Sequence, residues 1–148
     1  MNLQLEGKRA LVTGSTAGTG FAIAQVLASE GASVIVNGRT PQRVEDALKK
    51  LKGSRAEPQG LAGDLGTAAG AHEVSARFPE VEILVNNLGI FEAKPFEEIA
   101  DKDWIHFFEV NVLSGVRLSR YYLPLMKRRN WGASCSSRAN ARCRSPLR

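Results

Sequence analysis

The 148 residues are 43% apolar and 24% charged, which argues against a disordered chain and suits one domain with a sizeable core. Met1 to Arg9 has no apolar h-region and no stretch approaches ~18 uncharged apolar residues, so neither a signal peptide nor a membrane span is expected, and a cytoplasmic protein is. The net charge of +5 is uneven: residues 1–130 hold sixteen Lys and Arg against all fifteen acids, while residues 131–148 hold four arginines and no acid, so the basicity belongs to the C-terminal stretch and argues against a nucleic-acid partner.

Arg9 to Thr13 reads as a buried strand. It ends in Thr13-Gly14-Ser15-Thr16-Ala17-Gly18-Thr19-Gly20, and an Ala-rich helix, Phe21 to Glu30, follows at once and closes on Gly31. A strand, a glycine turn and a helix let backbone approach a phosphate, because three positions lack a Cβ and the helix N-terminus presents unpaired N–H groups. A nucleotide is therefore the first candidate ligand, and a tight connection without a ligand is the plain alternative.

Ala32 to Val36 is a second, β-branched strand. At its end, where an NAD site places an acid for the ribose 2′-hydroxyl, stands Asn37-Gly38-Arg39. No carboxylate repels a 2′-phosphate there and Arg39 can pair with one, so NADP(H) is expected over NAD; an exposed loop arginine is the alternative. Thr40 and Pro41 start a second helix, with Val44, Ala47, Leu48 and Leu51 at helical spacing up to Gly53.

Gln59 to Ala62 suits an edge strand, diluted by Pro58 and two glycines. Thr67 can cap a short helix through Phe78, and Val81 to Asn86 is a fourth strand with the apolar run of a doubly covered parallel sheet. Asp101 or Asp103 then opens a long helix through Trp104, Phe107, Phe108, Val110, Leu113 and Val116, with Pro124 kinking its end. Strands alternating with helices predict an α/β fold with a doubly wound parallel sheet of the Rossmann kind, here its N-terminal four-strand portion. The expected division is an incomplete nucleotide-binding domain over 1–130 and a basic irregular tail over 131–148. Cys135 and Cys143 lie in that tail without histidine partners, so neither a disulfide framework nor a metal site is expected.

Residues 3–130 resemble the short-chain dehydrogenase/reductase family, most nearly its 3-oxoacyl-ACP-reductase-like branch. Thr13-Gly14-x3-Gly18-x-Gly20 is similar to the family's cofactor turn, Asp64-Leu65 to the pair after the third strand that meets the adenine, and Asn86-Asn87-Leu88-Gly89 to its Asn-Asn-Ala-Gly motif. Asn111 falls at the place of the catalytic asparagine. The resemblance implies cofactor contacts from Thr13, Gly14, Ser15, Thr16, Gly18, Thr19, Gly20, Asp64, Leu65, Asn87, Leu88 and Gly89, beside Arg39. Thr19 stands where Ile or Leu is usual, and Leu88 where Ala is. It further implies hydride transfer between a nicotinamide and a small carbonyl or alcohol substrate, and a homo-oligomer for the intact form.

That chemistry needs a serine and a Tyr-x-x-x-Lys pair on one helix face. Here Tyr121 and Tyr122 lie six and five residues before Lys127, so they read as structural, and His72 and His106 as surface or packing residues. Ser134, Cys135, Ser136 and Ser137 fit codons beginning with T; read one base earlier, that T becomes a middle base and all four become apolar. A one-base deletion near the Gly132 codon is therefore expected, replacing the family's fifth strand and everything after it; a genuine basic tail is the plain alternative. The DNA decides: the shifted frame must carry Tyr-x-x-x-Lys before a stop. Two function classes follow, an oxidoreductase fragment lacking the Ser and Tyr-x-x-x-Lys catalytic residues and a non-catalytic nucleotide-binding or partner-binding module. Without a fifth strand, Ile83 to Val85 would form an unpaired edge and stability would be marginal.

Overall fold

The computed structural model describes residues 3–137. Strands β1 (Arg9–Val12), β2 (Ser33–Gly38), β3 (Gln59–Ala62), β4 (Ile83–Asn86) and β5 (Ala133–Ser136) form one sheet, and helices α1 (Gly18–Ser29), α2 (Pro41–Lys50), α3 (Ala68–Arg77), α4 (Asp101–Phe108) and α5 (Ser114–Arg128) connect them. The sheet order is β3-β2-β1-β4-β5 and all pairs are parallel. β3 is an edge strand, which suits Gly60 within it and Pro58 just before it.

The pleat sends alternate residues of each strand to opposite faces, which builds two cores. Ala10, Val12, Val34 and Val36 pack with Ala24 and Ala28 of α1 and Val44 and Ala47 of α2. Leu11, Ile35, Leu61 and Leu84 pack on the other face with Val74 of α3 and Leu118, Tyr122 and Met126 of α5. Small alanines on α1 bring that helix close to the sheet, so the glycine turn before it lies directly over the strand ends.

Three expectations need correction. The sheet has five strands, not four. Residues 133–136 are paired strand rather than irregular tail, with Ile83 opposite Ala133 and Asn86 opposite Ser136, so β4 is not an open edge. The reason is that ladder bonds are made by backbone, which the polar run Ala-Ser-Cys-Ser supplies as well as an apolar one; all four residues are only half-buried. Residues 138–148 of the expected tail, Cys143 among them, lie outside the described residues. Finally, the expected long helix is interrupted by a π-helical turn at Glu109–Leu113, after which α5, with Pro124 inside it, runs to Arg128.

Candidate functional site

The carboxyl ends of β1 to β4 face the same side, and the chain reverses its winding between β1 and β4. Parallel sheets bind ligands in the crevice at such a switch point. A cavity of about 280 Å³ opens there. The turn after β1 contributes Gly14, Thr16 and Ala17, and the end of β2 contributes Asn37, Gly38 and Arg39, with Arg43 from α2. Gly63, Asp64 and Leu65 come from the segment after β3, Leu88, Gly89 and Ile90 from that after β4, and His106 and Val110 from α4 and the π turn.

Gly14 and Gly18 adopt φ of +60° and +58°, the left-handed conformation that favours glycine. Gly20 has a different reason to lack a side chain: a Cβ there would collide with the Asn87 amide and the Gly14 carbonyl. No side chain caps the first turn of α1, which leaves its N–H groups to an anion.

The turn is clamped from both sides. Buried Asn37 accepts from Gly14 N through Oδ1 (3.1 Å) and donates from Nδ2 to Leu61 O (3.2 Å) and Gly63 O (3.1 Å). Ser15 is buried, its hydroxyl donating to Val12 O (2.6 Å) and accepting from Asn37 N (3.0 Å). Thr13 Oγ1 accepts from Asn87 N (2.9 Å) and Leu88 N (2.8 Å), and the Asn87 amide donates to Thr13 O and Gly14 O, both at 3.0 Å.

The residues expected at the site thus separate into two groups. Gly14, Thr16, Arg39, Asp64, Leu65, Leu88 and Gly89 line the cavity. Thr13, Ser15, Gly20 and Asn87 shape the turn from behind, while Gly18 and Thr19 are exposed on the first turn of α1. Asn111 does not line the cavity. Its Oδ1 accepts from Ile90 N (3.0 Å) and its Nδ2 donates to Ile90 O (3.1 Å), which pins the loop that carries Leu88 and Gly89. His106, read as a surface or packing residue, is exposed but lines the cavity wall.

Among solved structures, L-sorbose reductase from Gluconobacter frateurii, complexed with NADPH and L-sorbose, superposes with a TM-score of 0.84 at 34% identity over 92% of this chain and 54% of that one. The 3-oxoacyl (acyl-carrier-protein) reductase of Agrobacterium tumefaciens C58 with NADP bound gives 0.83 at 35% identity, over 89% and 52%. The uncharacterized oxidoreductase YvaG of Bacillus subtilis is 54% identical over 128 residues, which are 85% of this chain and 48% of the relative. The sequence model of the short chain dehydrogenase family matches residues 8–137. The chain belongs to the short-chain dehydrogenase/reductase family.

This chain spans about half the length of the curated relatives it matches. Membership in the family supports a nicotinamide cofactor. No helix among the described residues is long and apolar enough to cross a membrane. Sequence reasoning missed Asn37 as a hub, noting it only as the absence of an acid; a polar residue ending an otherwise buried apolar strand was the available signal. Arg43 was also missed, although it lies four residues after Arg39, in the first turn of α2. Arg117 of α5, which donates to Gly66 O at 2.8 Å and steadies the segment after β3, carried no local signal.

Proposed function

We propose that the chain is the NADP(H)-binding half of an oxidoreductase that moves hydride between nicotinamide and a carbonyl or alcohol carbon of a small molecule. The observation that carries the cofactor choice is the charge at the end of β2. Arg39 and Arg43 line one wall of the cavity, and the Asn37-Gly38-Arg39 segment offers no carboxylate. A carboxylate would bond a ribose 2′-hydroxyl and repel a 2′-phosphate, whereas guanidinium groups bond the phosphate through short, charge-assisted contacts. The relatives whose structures hold NADPH or NADP agree with this reading.

The residues present fit the rest of such a cofactor. The left-handed glycines and the uncapped start of α1 suit the pyrophosphate, while Leu65, Leu88 and Val110 offer an apolar wall to the adenine. Asp64 accepts from Gly66 N at 2.9 Å, which holds it at the rim. Asn111 holds the Ile90 loop against the site, and we assign it the family's catalytic position. When bound, the cofactor supplies the hydride chemistry, and the protein supplies binding and orientation.

Proton transfer would need the hydroxyl of a Tyr-x-x-x-Lys pair, which this sequence does not contain. Tyr122 cannot substitute, because its hydroxyl is buried and donates to Phe78 O at 2.9 Å. We therefore infer that the chain on its own binds NADP(H) without turning substrate over. The missing pair equally favours a second reading, a non-catalytic nucleotide-binding or partner-binding module. Residence in the cytoplasm and a homo-oligomeric intact form belong to the proposal as well.

Fluorescence titration with NADPH and NADH tests it. NADPH should bind at least about tenfold tighter than NADH, and Arg39→Ala should weaken NADPH by about 10- to 100-fold, as expected for loss of a charged hydrogen bond, while changing NADH little. Equal affinity for the two cofactors would refute the assignment to NADP(H).

A further inference from the structure

We propose that Ser137, just beyond β5, is a positioning residue for the glycine turn, acting through Asn87. Asn87 follows β4, and its side-chain amide is wedged between β1 and α1. Both of its N–H groups are used, on Thr13 O and Gly14 O at 3.0 Å each, and a methyl group at Gly20 would strike it. Its carbonyl oxygen accepts from the Ser137 hydroxyl at 2.7 Å.

Ser137 is itself held in place, since its backbone N–H donates to Asn86 O at 3.2 Å and the register sets Ser136 opposite Asn86. A chain of donors thus runs from Ser137 to Asn87 to the two carbonyls that enter the turn. Polarisation along such a chain strengthens each bond, and satisfying Oδ1 removes the pull that water would exert on the amide. Gly14 is in a left-handed conformation and is bonded from the β2 side by Asn37; the Ser137–Asn87 relay is the matching restraint from the β4–β5 side. A strand that does not line the cavity thereby sets the geometry of the phosphate end of the cavity. Only the consequence for NADPH rests on the cofactor reading above.

The test compares the full chain with Ser137→Ala and with Ser137→Thr, which keeps the hydroxyl. In the cofactor-free proteins, amide hydrogen exchange over residues 13–20 should quicken about three- to tenfold in Ser137→Ala, as for one lost neutral hydrogen bond, with exchange in α3 unchanged and Ser137→Thr restored to the original rates. NADPH affinity should fall by a similar factor in the alanine variant alone. Unchanged exchange over 13–20, an equal rise throughout the chain, or no rescue by threonine would overturn the proposal. If the unaltered chain fails to bind NADPH, the cofactor reading falls, and the exchange rates still decide the role of Ser137.

Discussion

Asn37 accounts for more of the site than any charged residue does. Its amide donates to the carbonyls of Leu61 and Gly63 and accepts from Gly14, so a single side chain ties the end of β2 to the β1 turn and to β3. An aspartate has the same shape but no N–H. Asn37→Asp would set a buried negative charge against two carbonyl oxygens and remove the bond Asn37 donates to each, a loss of about 2–4 kcal/mol in urea unfolding at neutral pH. A loss under about 0.5 kcal/mol would show that the amide's two donated bonds contribute little. The same reasoning explains why Asn37 is no stand-in for the acid of an NAD site: its side chain is committed to protein.

At the scale of elements, the caps of two helices were legible in the local sequence. Thr40 and Thr67 cap α2 and α3 as their positions suggest, accepting from Arg43 N (3.4 Å) and Gly70 N (3.0 Å), and the edge position of β3 suits Gly60 and the preceding Pro58. β5 and the π turn were not legible. β5 forms through backbone pairing that a polar run conceals, and the π turn stands out only once Val110 and Asn111 are seen to face different partners. The union of α3 with α5 depends on a contact of long sequence separation. Buried Tyr122 donates to Phe78 O and, more weakly, to Val74 O at 3.4 Å, closing the C-terminal end of α3. Tyr122→Phe should therefore cost about 1 kcal/mol in urea unfolding. Burial pushes the Tyr122 phenol above its ordinary value. The neutral, donating form belongs to the folded state, so its contribution is present below about pH 10 and lost as pH rises through the raised value. Alkaline destabilisation should be smaller in the phenylalanine variant, and identical pH profiles would argue that Tyr122 is not the group responsible.

For the whole molecule, both sheet faces are covered and β4 is paired, so the weakness expected at an open β4 edge does not arise. Apolar exposure is found instead along α4, the π turn and α5. Trp104, Phe108, Val112 and Val116 are 54%, 53%, 45% and 39% exposed, and their four-residue spacing aligns them as one stripe. Ile105, at 62%, widens it. A continuous apolar stripe of this kind favours association in water, whereas the same residues scattered singly would not. The described residues leave it uncovered although the cores on both sheet faces are closed. Sedimentation velocity over a rising concentration series should accordingly show mass increasing with concentration. Phe108→Lys, which places a charge in the middle of the stripe without touching either core, should shift the distribution toward monomer and leave the unfolding midpoint nearly unchanged. A chain that stays monomeric throughout the series, or a lysine variant that associates as strongly as the original, would locate the driving force for association elsewhere.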